Sequence, residues 1–209
     1  MQELSTAFRW QFFCIKLASA EYKDKKEVLA MELEEMVWKR SVREGYTVLL
    51  KAEAKLLLPK DCAEMRDFYQ RLADACMNWT IDVYGERLRT QFLSLSDVRE
   101  KSRFRTQQYR FWMRIPWQDA EYLTMLCESE RTTPEGGRDF YRVAHTWKLA
   151  EQTALPTEQV MRLFGARIGK RELPFSVDGI YREGDKLVIF QNKTEKNGFR
   201  EAKLPLEKP

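Results

Sequence analysis

An α+β fold is the class this sequence predicts: a mainly antiparallel sheet packed on one long amphipathic helix, with shorter helices beside it. Three observations predict it. Several segments alternate apolar and polar residues with a period of two, as a half-buried strand does. One long segment spaces its apolar residues by three and four, as an amphipathic helix does. Glycine-bearing turns join neighbouring strand segments with few helices between them, which favours antiparallel pairing.

Residues 1–44 are read as an N-terminal segment packed on a domain spanning 45–209. Within that segment "KKEVLAMELEEMVWKR" (25–40) has glutamates and leucines that favour helix. The turn-like "KDKK" would instead make it the second strand of a hairpin, so both states stay open here. From Tyr46, "YTVLLKAEAKLLLP" puts Val48, Leu50, Ala52, Ala54, Leu56 and Leu58 on one face and Lys51, Glu53 and Lys55 on the other. Pro59 ends this strand, because proline lacks a ladder donor.

The helix follows, with Asp61 as the expected N-cap and Glu64 three residues on, a variant capping box. Its expected buried stripe is Met65, Phe68, Leu72, Cys76, Trp79 and Val83, with Trp79 as the anchor. Gly85 permits a break before "ERLRTQFLSL". In "YRFWMRIPW" the apolar Tyr109, Phe111, Met113 and Ile115 alternate with Arg110, Trp112 and Arg114, again a strand. The latter two arginines are expected to face solvent and to be replaceable without loss of stability.

"EYLTMLCESE" turns through "TTPEGG" into "RDFYRVAHTWKLA", with Tyr141, Val143, His145, Trp147 and Leu149 on one face. A two-residue loop at Gly136-Gly137 would set Glu128 opposite His145. The register shifted by one, with Cys127 opposite Trp147, matches apolar residues better and is preferred. Thr157 is the expected cap of a short helix closed by Gly165. "GIYREGDKLVIFQ" folds about Glu183 to Lys186, and Asn197-Gly198 suits another tight turn.

Composition excludes several functions. Hydrophobic residues are 44% and charged residues 33% of the chain, an ordinary soluble mixture able to build a core. The net charge of +4 comes from 36 basic and 32 acidic residues, so interspersion dominates and a dedicated nucleic-acid binder is disfavoured. Cys14, Cys62, Cys76 and Cys127 are scattered and there is one histidine, so neither a zinc set nor any cofactor is expected. No glycine-rich strand-to-helix turn offers a phosphate cradle. Glu3, Arg9 and Lys16 interrupt the first segment, which therefore reads as neither export signal nor membrane span. The expected location is the cytoplasm, unless the natural chain has lost a leader.

His145 is where general-base catalysis would be sought. Val143 and Trp147 flank it on its own face, so it reads as a packed strand residue, and no nucleophile turn accompanies it. Carboxylates lie in solvated runs such as "ELEE", and no catalytic residue is assigned. The stretch 99–117 holds six basic residues against the single acid Glu100, interleaved with aromatic rings. Arg103, Arg105, Arg110, Trp112, Arg114 and Trp117 are accordingly the candidate binding residues, for a protein or glycan partner. Two alternatives are a weak single-stranded nucleic-acid binder, through stacking and phosphate contacts, and a hydrolase in which His145 and acids converge. Arg110 and Arg114 lying over Trp112 as cation–π neighbours would be the purely structural arrangement.

The order of elements also resembles a known family. A strand ending "LLLP", the helix "FYQRLADACMNW", the strand "YRFWMRI", a "GG" hairpin leading into "VAHTWKLAEQTALPTEQVMRLFG" and a final "LPFSVDGIYREGDKLVIF" carry the resemblance over residues 45–206. The family is a bacterial one of uncharacterised domains. It includes the extracellular domain of a lysozyme-sensing anti-sigma factor and accessory domains of peptidoglycan deacetylases. The resemblance implies a non-enzymatic binding domain with an antiparallel sheet, and no shared catalytic residue.

Overall fold

The computed structural model describes residues 31–164, 175–193 and 198–206. Strands β1 (Leu33–Glu44) and β2 (Thr47–Pro59) form an antiparallel hairpin. The open choice at residues 25–40 thus resolves as strand from Leu33 onward. Residues 1–30 of the N-terminal segment, including Cys14, lie outside the described residues. β2 keeps its alternation: Leu50, Ala52, Ala54, Leu56 and Leu58 are buried, while Lys51, Glu53 and Lys55 are exposed.

The chain then crosses the sheet through α1 (Ala63–Trp79), a π-helical turn (Thr80–Tyr84), α2 (Gly85–Ser94) and α3 (Val98–Ser102). It returns as β3 (Gln107–Gln118), parallel to β2 with Ala52 opposite Tyr109, since a long helical crossover permits parallel pairing. The other pairings among the described residues are antiparallel. Strands β4 (Tyr122–Thr132), β5 (Arg138–Lys148) and the short β6 (Thr153–Ala154) complete a six-stranded sheet in the order β1-β2-β3-β4-β5-β6. After α4 (Thr157–Leu163), strands β7 (Gly179–Glu183), β8 (Lys186–Gln191) and β9 (Arg200–Pro205) form a second, three-stranded sheet.

The large sheet is covered on both sides. Its inner face packs on α1 and α2, joining Leu50, Ala54, Leu56, Phe111, Met125 and Trp147 to Met65, Tyr69 and Met77. Its outer face packs over β4 and β5 on the small sheet, where Leu126 meets Tyr181, Val188 and Phe190. Residues 123–128 of β4 are therefore all buried, Thr124 and Glu128 included. Fully burying a side chain such as Met65 or Leu126 stabilises by about 1.5–3 kcal/mol, so these two interfaces hold the layers together.

The helix departs from its expected face. Its buried residues are Met65, Tyr69, Ala73 and Met77, then Thr80 and Tyr84, then Leu88 and Phe92, whereas Phe68 and Val83 are exposed and Trp79 is half-buried. Ridges of apolar residues alone favoured the neighbouring stripe. The polar tips of the observed stripe find partners: the Thr80 hydroxyl donates to the Cys76 carbonyl (2.7 Å) and the Tyr84 hydroxyl to the Thr132 carbonyl (2.8 Å). Successive steps of four residues drift about 40° around an α-helix. The wider π turn absorbs one residue and returns Tyr84, Leu88 and Phe92 to the sheet.

Gly85 does not break the helix; it continues it with φ −61°. A Cβ there would stand 2.7 Å from Val42 Cγ2, so the glycine lets the helix approach β1. The cap of α1 is Cys62 rather than Asp61, with no side-chain cap bond, because Cys62 is drawn into the core and the helix starts after it. Thr157 is likewise the first residue of α4, whose cap is Pro156. Gly165 and Asn197 lie outside the described residues; β8 and β9 pair, with Gln191 opposite Arg200.

The β4–β5 hairpin takes neither expected register. Thr132 pairs with Arg138 around the five residues 133–137, in which Thr133 N–H bonds the Gly137 carbonyl (3.0 Å) and Gly136 N–H bonds the Thr133 carbonyl (2.9 Å). The longer loop sets His145 opposite Met125, Trp147 opposite Leu123 and Glu128 opposite Arg142. The turn at Gly184-Asp185 forms as expected, with Glu183 opposite Lys186. Among the described residues no helix is long and apolar enough to cross a membrane.

Candidate functional site

The small sheet leaves part of the outer face open over β1, β2 and β3. Cross-strand neighbours there alternate in charge: Lys39 opposite Glu53, Glu53 opposite Arg110, and Arg110 opposite Glu130. Lys55 lies beside Trp112 in the next row. Most of these charges are paired: Lys39 with Glu53 (3.9 Å), Lys55 with Glu35 (2.9 Å) and Glu130 with Arg138 (3.1 Å). Arg110 is exposed and makes no ion pair among the described residues. An open groove of about 440 Å³ runs across this surface, lined by Glu53, Lys55, Arg110, Trp112 and Glu130.

Trp112 is half-buried, and its indole N–H donates to Glu128 Oε2 (2.9 Å). Glu128, 5% exposed, is the centre of a cluster between the two sheets. It also accepts from Arg114 Nε (3.1 Å) and from Arg142 Nε (2.8 Å). Arg114 reaches across to Glu183 (2.9 Å), whose carboxyl is held below its usual range by its bonds to Lys203 and Arg114. Arg142 additionally binds Glu201 of β9. Its guanidinium stands 5.0–5.5 Å from the rings of Phe140, Tyr181, Phe190 and Phe199. Gly179 makes this cage possible: a Cβ there would meet the Phe190 ring at 2.3 Å, so only a glycine lets that ring lie against β7.

The expectation that Arg114 is a freely replaceable surface residue is corrected by this cluster. Its side chain leaves the inner face as expected, but it is tied to Glu128 and to Glu183 of the second sheet while staying 37% exposed. Trp117 has a similar neighbourhood, edge-on to Phe164 at 5.0 Å and beneath the Arg182 guanidinium at 4.7 Å. Arg103 and Arg105 lie elsewhere, exposed in the link from α3 to β3 at the end of the sheet. Of the six expected binding residues, the open face therefore holds Arg110 and Trp112. Glu53, Lys55 and Glu130 join them. The alternation of β2 already exposed Glu53 and Lys55, but only the parallel pairing of β2 with β3 places them beside Arg110.

His145 is on the inner face against α1. Its Nδ1 is 3.3 Å from the Tyr69 hydroxyl, which accepts from Trp147 Nε1 at 2.7 Å. Burial raises the Tyr69 pKa well above its usual value, so the phenol stays protonated and can donate to the imidazole. The Phe68 ring meets the imidazole edge-on at 5.2 Å. Desolvation pushes the His145 pKa down to about 4, and the ring is neutral near pH 7. Among the described residues no carboxylate bonds to it, and its cross-strand neighbour is Met125. Cys62, Cys76 and Cys127 are free thiols whose pKa values burial raises, which disfavours the nucleophilic thiolate. Among the described residues no three His, Cys, Asp or Glu side chains gather as a metal site.

No family model matches the chain, and no curated protein matches it in sequence. Solved structures do share its fold. One is a DUF3298-family member from Bacteroides fragilis, at a TM-score of 0.55 and 9% identity, covering 84% of this chain and 90% of that one. Another is a DUF3298-family protein from Pseudomonas aeruginosa, at a TM-score of 0.51 and 10% identity, with the same coverage. The fold is thus that of bacterial proteins assigned to a domain of unknown function.

Proposed function

We propose that this chain is a non-catalytic binding domain that docks a protein or glycan partner on the open outer face around Arg110 and Trp112. Arg110 carries the reading: a cation without an ion pair among the described residues, set in a groove beside a half-exposed indole and between two carboxylates. Guanidinium, carboxylate and aromatic groups side by side can bond hydroxyls and amides of a polar partner, and arginine and tryptophan are enriched where binding energy concentrates. The alternating charge argues against a polyanion, which Glu53 and Glu130 would repel. The non-enzymatic binding role that the sequence resemblance implies would agree with this, and the neutral, packed His145 supports it. A cytoplasmic location is proposed with it.

The test is a set of NMR titrations of the labelled protein with defined oligosaccharides and with peptides. The expected result is saturable shifts confined to Glu53, Lys55, Arg110, the Trp112 indole and Glu130, at least tenfold weaker in Arg110→Glu. Shifts clustered around His145, or equal affinity in Arg110→Glu, would overturn the proposal.

A further inference from the structure

We infer that the end of the large sheet opposite Pro59, built from the β1–β2 turn and the α3–β3 link, docks on the surface of an anionic lipid bilayer. Two segments far apart in sequence meet there. The parallel pairing sets Leu50 opposite Gln107, so residues 103–106 lie beside the start of β2, and the Thr106 hydroxyl donates to the Val48 carbonyl at 2.8 Å. The Phe104 ring anchors the link, edge-on to Phe92 of α2 at 5.4 Å.

Exposed at this end are four arginines, Arg43, Arg99, Arg103 and Arg105, none with an ion pair among the described residues. Glu44 pairs with Arg89 at 3.1 Å. Asp97, which caps α3 by accepting the Arg99 N–H at 2.9 Å, and Glu100 oppose the cations, but the four arginines and Lys101 outnumber these two acids. Arg103 and Arg105 thereby gain a role that the open face does not offer them.

The apolar residues at this end select the ligand. Tyr46, in the two-residue turn between β1 and β2, is fully exposed, and Val98 on α3 is 79% exposed. A nucleic acid or an acidic peptide could neutralise the arginines but gives Val98 no apolar medium. A bilayer offers both. Anionic headgroups attract the cations. Tyrosine suits the boundary between water and hydrocarbon. Long arginine stems can extend upward while shorter apolar side chains enter.

The experiment is co-sedimentation of the full chain with vesicles of pure phosphatidylcholine, and of two parts phosphatidylcholine to one part phosphatidylglycerol. Binding is expected to the mixed vesicles alone and to weaken with salt. Neutralising an arginine near the surface should weaken it about fivefold, so Arg103→Gln with Arg105→Gln lowers it roughly 25-fold. Tyr46→Ser with Val98→Ser should also lower it severalfold at unchanged charge, and Arg110→Glu should leave it unchanged to within about twofold for distance and screening. All variants must keep the native thermal midpoint. No binding to the mixed vesicles overturns the inference. So does binding that is indifferent to Tyr46→Ser with Val98→Ser and displaced equally by single-stranded DNA, which would mark a polyanion site.

Discussion

Glu128→Gln isolates the cluster that joins the two sheets. The carboxylate is 5% exposed and accepts hydrogen bonds from Trp112, Arg114 and Arg142. The Arg142 side chain is 9% exposed, and after the change it keeps Glu201 as its one carboxylate partner. Breaking a buried pair from one side costs about 3–5 kcal/mol, because the remaining charge stays desolvated. The rings around Arg142 hold the guanidinium in place, at about 0.5–1 kcal/mol for each favourable cation–π contact, which places the expected loss near the lower end, about 3 kcal/mol. Urea denaturation followed in parallel by far-ultraviolet dichroism and tryptophan emission measures it, with an unchanged m-value as the sign that the native surface is preserved. Replacing both partners, Glu128→Leu with Arg142→Met, should cost less than the sum of the two single changes, since neither member of this buried pair is left facing an apolar substitute, although Arg114, the Trp112 N–H and Glu201 each lose a partner. A loss below about 1 kcal/mol in Glu128→Gln, or a double variant as unstable as the sum of the singles, would refute the idea that this pair is buried and coupled.

The remaining expectations concern single contacts. Arg110→Gln should change stability by less than about 0.5 kcal/mol, whereas Arg114→Gln, which takes a charged partner from Glu128 and Glu183, should cost about 1 kcal/mol or more; equal thermal midpoints would contradict the placement of Arg114. His145 has a folded pKa of about 4 against an ordinary 6.5. Between those values the unfolded chain binds a proton that the native ring does not, so stability is lost as pH falls from about 6.5 to about 4, by no more than about 3 kcal/mol. Partial exposure of the ring reduces that figure, and His145→Gln should flatten the curve; an equally steep acid loss in the variant would refute it. Gly85→Ala gains about 1 kcal/mol of helix propensity but forces its Cβ onto Val42 Cγ2, at a cost of about 1–3 kcal/mol. The net effect should be destabilising and relieved by Val42→Ala, as denaturation midpoints would report. Tyr69→Ala should cost about 3–5 kcal/mol and the half-buried Trp79→Ala about 2 kcal/mol; the reverse order would restore the Trp79 stripe.

Local periodicity determined much of this molecule. The alternation in 46–59 and 109–115 specified two strands and their buried faces, because side chains on a strand change face at every residue. The same holds for the turn at Gly184-Asp185, where composition and spacing act within a few residues. The α+β class followed from these elements together. The choices left to tertiary structure are those in which two local answers are nearly equal. Adjacent stripes on α1 are both apolar, and the sheet selected Tyr69 over Phe68 because the buried phenol can bond Trp147 and His145. Two short registers for the β4–β5 hairpin gave way to a third, closed by hydrogen bonds within 133–137. The site divided for the same reason. Residues 99–117 are one basic and aromatic run in sequence, yet a second sheet, contributed from beyond residue 178, ties down Arg114 and leaves Arg110 open. Sequence determined which face of the strand each arginine leaves by, because that depends on backbone geometry alone. Which of them is held in an ion pair depended on a partner more than sixty residues away, and only the packed chain brings that partner near.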